Sequence, residues 1–136
     1  MEEILSVLVV DDEEILRSLL EKILKKEGYK VHLASSGEDA LKTLAENPVD
    51  IMISDIQMPE MDGFALLRTV KKQYPYVGVI MMTGYADAYS VKDALLLGAD
   101  DYITKPFKSF EISMIIERAY WRALSARSSI AKSAEQ

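Results

Sequence analysis

Acidic side chains follow two apolar stretches of this sequence, which makes them the first candidates for chemistry. Asp55 comes shortly after residues 49–53, and Asp11 and Asp12 come directly after residues 4–10. Carboxylates can ligate a hard cation such as Mg²⁺, and they can also act as nucleophiles toward a phosphoryl group. An isolated aspartate more often caps a helix or starts a turn, and Asp12 alone fits the N-cap of the following helix. The argument therefore depends on the residues that accompany these acids.

Two further polar residues come directly after apolar stretches. Thr83 follows residues 77–82, and Lys105 follows residues 101–104. A hydroxyl can donate a hydrogen bond to a phosphoryl oxygen, and an ammonium group can neutralise part of its charge. Taken singly, Thr83 is an ordinary β-branched strand residue and Lys105 an ordinary surface lysine. Because ligands bind at the carboxyl ends of parallel strands, we interpret the acids, the hydroxyl and the ammonium as one site.

Five apolar stretches with strand character alternate with five helical patterns. The predicted strands are residues 4–10, 30–34, 49–53, 77–82 and 101–104. This alternation is typical of an α/β, flavodoxin-like doubly wound (βα)5 fold with a five-stranded parallel sheet in the order 2-1-3-4-5. Strands 1 and 3 are neighbours in that order, so Asp11, Asp12 and Asp55 are expected to meet.

Three carboxylates at one sheet edge repel each other, and a divalent cation removes the conflict. The sequence has one histidine and no cysteine, so it offers no ligand cluster that favours zinc. We therefore predict a Mg²⁺ site, in which Mn²⁺ can substitute, with Asp12 and Asp55 as direct ligands. The histidine, His32, is interpreted as a solvent-side strand residue.

Composition limits the remaining function classes. The 136 residues suffice for one domain, and the net charge of −6 disfavours direct binding to nucleic acid. The absence of cysteine excludes disulfides and thiolate chemistry. No run approaches the roughly 18 apolar residues of a membrane span, and the first residues lack a signal-peptide pattern. We expect a cytoplasmic protein without membrane contact.

The strand-end residues together resemble the response-regulator receiver domain, the phosphoacceptor module of two-component signalling, as in chemotaxis regulators. The matching positions are Asp11-Asp12, Asp55 within Asp-Ile-Gln-Met-Pro-Glu-Met-Asp-Gly, Thr83-Gly84 and Lys105-Pro106. The resemblance covers about residues 4–120. We predict a receiver domain over residues 1–124 and a flexible tail or truncated linker over residues 125–136.

The resemblance implies a phosphoacceptor switch more than a turnover enzyme. Asp55 would accept a phosphoryl group from a sensor histidine kinase or a phosphotransfer protein. Gln57 would ligate the metal through its backbone carbonyl, and Asp11 would act mainly through a metal-bound water. The resemblance also implies a cis peptide bond between Lys105 and Pro106.

The same resemblance assigns the switch and the lifetime of the phosphoryl group. Thr83 and Lys105 would bind the phosphoryl group, and Tyr102 would turn inward behind Thr83. Gln57 and Tyr85 would lie beside the route of an attacking water and tune the lifetime of the adduct.

A set of apolar residues falls outside the predicted core of the last two helices. Val91, Ala94 and Leu95 suffice for the core of helix 4. The residues left over are Tyr89 and Leu96 on helix 4 and Phe110, Met114 and Trp121 on helix 5. Isolated surface apolar residues are common, but a group of them often marks a partner surface. We predict that this face, with Tyr102, contacts a downstream protein, a fused output domain or a second copy of the chain.

Other functions fit these residues less well. A degenerate receiver would act as a docking module that needs no phosphorylation, yet the matching positions are intact. An Asp-nucleophile phosphotransferase commonly has a second acid two residues after the nucleophile, where this chain has Gln57. A flavin-binding module needs a phosphate-cradling loop after strand 1, and the acids of residues 11–14 would repel phosphate there.

Overall fold

The computed structural model describes residues 4–58, 61–84 and 88–135, with the helical backbone alone for residues 88–91 and 126–135. Within these ranges the elements alternate as β1 Ser6–Val10, α1 Glu14–Lys26, β2 Lys30–Ala34, α2 Gly37–Glu46, β3 Ile51–Asp55, α3 Gly63–Gln73, β4 Gly78–Thr83, α4 Ala88–Leu96, β5 Asp101–Thr104 and α5 Ser109–Glu135. The strands form one parallel sheet in the order β2-β1-β3-β4-β5. The predicted fold and strand order are confirmed.

The central strands β1, β3 and β4 are buried along their whole length, because helices cover both faces of the sheet. Alternate residues of these strands point to opposite faces. Leu8 and Met52 pack with α2, α3 and α4, whereas Val9 and Ile53 pack with α1 and α5. This two-sided core explains why these strands read as nearly continuous apolar runs.

Local capping explains where several helices begin. The Ser36 hydroxyl accepts a hydrogen bond from the Asp39 N–H at 3.1 Å, as the capping pattern of α2 predicts. Asp12 is not the N-cap of α1, although the sequence allowed that interpretation. Glu13 occupies that position without a side-chain bond, and its N–H donates to Asp11 instead. Asp12 is thereby left outside the helix cap.

Some details of the sequence-based prediction are wrong. The third strand begins and ends two residues later than predicted, so Asp55 is its last residue. Leu95 was assigned to the core of α4, but 43% of its surface is exposed, whereas Ala94 is buried. His32 is half-buried rather than on the solvent side, and its Nε2 is buried without a hydrogen-bond partner among the described residues.

The last helix is longer than the sequence suggested. The predicted tail begins at residue 125, yet α5 continues through Glu135. The domain boundary at residue 124 and a linker role for residues 125–136 stay predictions. Across the described ranges, none of the helices has both the length and the apolar character to cross a membrane.

Candidate functional site

Three aspartates meet where β1 and β3 end. The two strands are adjacent, and Val10 pairs with Ser54, so the residues that follow them lie side by side. Asp11, Asp12 and Asp55 each offer one carboxylate oxygen, and these oxygens lie within 4.8 Å of one another. The structure therefore brings together the acids that the sequence separates by more than forty positions.

These carboxylates have very different surroundings. Asp11 is fully buried, Asp55 is nearly so, and Asp12 is exposed. Asp11 Oδ1 accepts a hydrogen bond from the Glu13 N–H at 2.8 Å, whereas its Oδ2 is buried with no hydrogen-bond partner in the described part of the chain. Burial raises the pKa of the Asp11 carboxyl, and the charge of Asp55 raises it further against the opposing effects of the Glu13 N–H and Lys105. A buried, incompletely bonded oxygen in an all-oxygen donor set fits a hard divalent cation.

Lys105 provides the positive charge of the site. Its ammonium group donates to Asp55 Oδ2 at 3.2 Å and lies 3.8 Å from Asp11 Oδ2. The residue follows β5 directly, its N–H donates to the Thr83 carbonyl at 2.9 Å, and its peptide bond to Pro106 is cis, as expected. The end of β5 therefore directs this ammonium group across β4 toward the acids.

Thr83 is the last residue of β4, at the same sheet edge. It is 1% exposed, and its hydroxyl has no hydrogen-bond partner within the described ranges. Nearby, a cleft of about 310 Å³ opens between Asp12, Asp55, Gly84 and Lys105. A cleft lined by two acids and a lysine can accommodate a small charged group.

Gly63 keeps the loop after β3 close to the sheet. Its N–H donates to the Ile56 carbonyl at 2.7 Å. A side-chain Cβ at this position would overlap the Asp55 carbonyl oxygen and lie 2.7 Å from Ile56 Cα. The Asp62 carboxylate accepts from the Ala65 N–H at 2.8 Å and begins α3 directly beneath the site. Sequence reasoning treated this glycine as a turn marker and did not assign it a part in shaping the site.

Arg17 is a second residue that sequence reasoning missed. Its Nη1 donates to the backbone carbonyl of Asp11 at 2.6 Å from the first turns of α1. In the sequence it is one polar residue within an amphipathic helix, and its type and spacing carry no sign of this contact.

Comparison with known proteins identifies the fold and the site as those of one family. Residues 7–117 match the family profile of the response regulator receiver domain. The chain belongs to this family. The predicted recognition is therefore confirmed.

Similar proteins are longer than this receiver domain. The chain is 42% identical over 118 residues to a putative NtrX-like response regulator of Rickettsia bellii, covering 85% of the chain and 25% of that protein. It is 41% identical over 114 residues to the DNA-binding transcriptional regulator NtrC of Proteus hauseri, covering 84% of the chain and 24% of that protein. The chain thus spans about a quarter of the length of these curated relatives.

Solved structures share the architecture. NtrX from Brucella abortus in complex with ADP superimposes with a TM-score of 0.88 at 32% identity, over 93% of this chain and 29% of that one. A receiver domain protein from Clostridium thermocellum superimposes with a TM-score of 0.82 at 33% identity, over 88% of this chain and 96% of that one. Both likenesses extend over nearly the whole receiver domain.

The remaining predicted residues of the receiver site are placed unevenly. Gln57 is exposed beside the cleft, and its N–H donates to Asp55 Oδ1 at 3.4 Å. Tyr102 lies on β5 with 37% of its surface exposed. Tyr85 lies outside the described residues. The structure therefore brings Gln57 to the site and leaves Tyr102 on the neighbouring surface.

The predicted partner residues of the receiver domain are exposed where the structure describes them. Leu96 is 74% exposed, and Phe110, Met114 and Trp121 on α5 are each more than 60% exposed. Tyr89 lies in α4, but its side chain lies outside the described part. Behind the α5 residues, the buried Asp101 carboxylate accepts hydrogen bonds from Arg118 and lies 3.2 Å from Arg122 Nη1.

Proposed function

We propose that this receiver domain accepts a phosphoryl group on Asp55 from a phosphohistidine of a sensor histidine kinase or a phosphotransfer protein. The observation that supports this proposal most is the contact between Asp55 and the Lys105 ammonium at 3.2 Å, beside two further acids and an open cleft. A nucleophile, a cation and a set of metal ligands then share one sheet edge.

The transfer needs little covalent chemistry from the protein. A carboxylate oxygen of Asp55 attacks phosphorus, and the bond between phosphorus and the imidazole nitrogen of the donor breaks. The imidazole leaves with the electron pair of that bond and takes up a proton, and the product is an aspartyl phosphate. Phosphoryl transfer depends mainly on positioning and charge neutralisation, and the Lys105 ammonium provides both for a phosphoryl oxygen.

Asp11, Asp12 and Asp55 would hold Mg²⁺, with Mn²⁺ as a substitute. Asp12 and Asp55 would ligate the ion directly, Gln57 would add its backbone carbonyl, and Asp11 would act through a water. When bound, the ion supplies positive charge that offsets the repulsion among the carboxylates and the phosphoryl oxygens. The buried and unpartnered Asp11 Oδ2 supports this assignment, because an all-protein site would have satisfied it.

Thr83 and Tyr102 would form the switch. The buried Thr83 hydroxyl has no partner among the described residues, so it is available to donate to a phosphoryl oxygen on Asp55. Tyr102 would then turn inward behind it and change the surface of α4, β5 and α5. Such a change is a population shift whose size is limited by the contacts that the phosphoryl group adds. Gln57 and Tyr85 would set how fast water removes the group.

The exposed residues of α4 and α5 would carry the signal onward. We propose that they contact a downstream protein, a fused output domain or a second copy of the receiver. The much greater length of the relatives supports a fused output domain. Light scattering at high protein concentration, with and without phosphorylation, tests self-association, and a monomer in both states would contradict it.

The deciding experiment is phosphorylation with acetyl phosphate and Mg²⁺, followed by intact mass measurement. Wild type is expected to gain one phosphoryl group that is stable in acid and labile in base. Asp55→Asn is expected to gain none, because the amide is not a nucleophile, whereas Asp93→Asn on the exposed surface of α4 serves as the matched control. A folded wild type that binds Mg²⁺ but forms no adduct would contradict the proposal and favour a docking module.

A further inference from the structure

The peptide bond between Asp11 and Asp12 is held in an unusual way. The Asp11 N–H donates to the Ala34 carbonyl at 3.1 Å, and the Asp11 carboxylate accepts from the Glu13 N–H at 2.8 Å. The Asp11 carbonyl accepts from Arg17 Nη1 at 2.6 Å. Each of the hydrogen-bonding groups of Asp11 that point away from the cleft thus has a partner, and the carbonyl depends on one side chain.

The neighbouring Asp12 is not held by contacts of its own. Its side chain is exposed, and it has no hydrogen bond or ion pair to any described residue. The Asp11 carbonyl and the Asp12 nitrogen belong to one rigid planar unit, so a fixed carbonyl also fixes where the Asp12 backbone continues. The direction of the Asp12 carboxylate therefore depends on a contact made by Arg17.

We propose that Arg17 is a positioning residue for the divalent cation site: its guanidinium fixes the Asp11–Asp12 peptide and so aims the Asp12 carboxylate at the ion. The inference rests on the proposed function, because it takes the acidic cluster as the metal site. Arg17 has no carboxylate within ion-pair distance among the described residues, so its one printed side-chain bond is the bond to this carbonyl.

Electrostatics and positioning predict opposite signs for the loss of Arg17. A guanidinium close to a cation site repels the cation, so removal of the charge alone would tighten Mg²⁺ binding. Removal of the positioning contact would free the peptide and weaken binding, since mutation of groups that orient metal ligands commonly costs at least tenfold in affinity. The direction of the change in Mg²⁺ affinity therefore distinguishes the two roles.

The test is calorimetric titration of Mg²⁺ into the unphosphorylated chain. Arg17→Met is expected to bind Mg²⁺ about tenfold more weakly than wild type. Arg17→Lys keeps the charge and a donor and is expected to recover part of the affinity. Arg68→Met removes an exposed arginine of α3 and is expected to leave the affinity within about twofold of wild type, as a charge screened by solvent does.

Each outcome bears on a different statement. Arg17→Met with Mg²⁺ affinity equal to or tighter than wild type would overturn the positioning role while leaving the proposed function intact. Mg²⁺ binding by wild type that is unchanged in Asp12→Asn and Asp55→Asn would overturn the metal site itself, and the positioning role with it. If circular dichroism finds Arg17→Met unfolded, Arg17→Gln is titrated in its place with the same expected weakening.

Discussion

The two edges of the sheet both carry aspartates, yet they bond them in different ways. At the edge where strands begin, a backbone N–H of β1 donates to Asp50 and one of β4 donates to Asp100, each at 2.8 Å. Asp100 also pairs with Lys71 at 2.5 Å, and the buried Asp101 pairs with Arg118. The acids of this edge have partners within the chain and hold the strands in register.

The edge where strands end is incomplete by comparison. Three carboxylates share one lysine, and the buried Asp11 Oδ2 and Thr83 Oγ1 lack partners in the described part of the protein. Buried polar atoms are normally satisfied, because an unsatisfied one costs free energy. An acid with complete bonding thus stabilises the fold, whereas an incomplete set marks the place where an added cation and phosphoryl group complete the bonding.

The largest expected effect compares glycines at the two edges. Gly63→Ala is expected to lower the free energy of unfolding by about 3 kcal/mol, because its Cβ would collide with the backbone of β3 and the loop after it. Gly78→Ala at the opposite edge would first meet the flexible end of Ile51, so it is expected to cost about 1 kcal/mol. Urea denaturation of both variants tests the difference, and equal costs would contradict it.

The next effect removes a fully bonded acid. Asp101→Asn is expected to lower the free energy of unfolding by about 2 kcal/mol, because two arginines of α5 lose the buried charge that they surround. The guanidiniums are half exposed and regain water, which keeps the cost below that of a fully buried pair. Urea denaturation of this variant should leave Mg²⁺ affinity within error of wild type, and a loss of Mg²⁺ binding would break the distinction between the two edges.

Removal of an acid from the incomplete edge should have the opposite sign. Asp11→Asn is expected to raise the free energy of unfolding without Mg²⁺ at pH 7 by about 1 kcal/mol, since it removes a buried charge that faces Asp55. It should also weaken Mg²⁺ binding. Urea denaturation and calorimetry check the two effects, and a destabilised variant would place Asp11 with the structural acids.

The same argument fixes the pH dependence of Asp11. Its pKa is raised in the folded state, so the folded chain binds its proton more readily than the unfolded chain does. The stability cost of its charge is present above the raised pKa and disappears as the pH falls through it. The stability gap between Asp11→Asn and wild type is therefore expected to shrink on acidification.

The smallest effect concerns an unpartnered atom away from both edges. Burial and the charge of Lys30 lower the pKa of His32, so the unfolded chain takes up the proton more readily. Its contribution to stability is present above the ordinary pKa of 6.5 and is lost as the pH falls below it. His32→Gln is expected to reduce the loss of stability between about pH 7.5 and 5.5 by about 0.5 kcal/mol, a small value because the ring is half-buried. Acetyl phosphate labelling should be unchanged, and a changed level of labelling would extend the site to β2.

Much of the fold and part of the site could be predicted from the sequence. Apolar runs and turn residues are local properties, so strands, helices and the order of the sheet followed from them. The types of residue at the ends of β1, β3, β4 and β5 likewise indicated oxygen ligands, a hydroxyl and a cation at one edge. The exposure of Phe110, Met114 and Trp121 on α5 followed from helical periodicity, and the structure agrees.

The tertiary structure alone decided how these residues are bonded. The contact between Lys105 and Asp55 joins positions fifty residues apart, and no local pattern encodes its distance. The roles of Gly63 and Arg17 likewise depend on a backbone that approaches from another segment of the chain. Sequence periodicity reports which face of an element is apolar, whereas the satisfaction of each polar atom depends on the positions of all surrounding elements. The sequence by itself therefore determined which groups meet at the sheet edge, and only the folded chain decided which of them are left for a ligand.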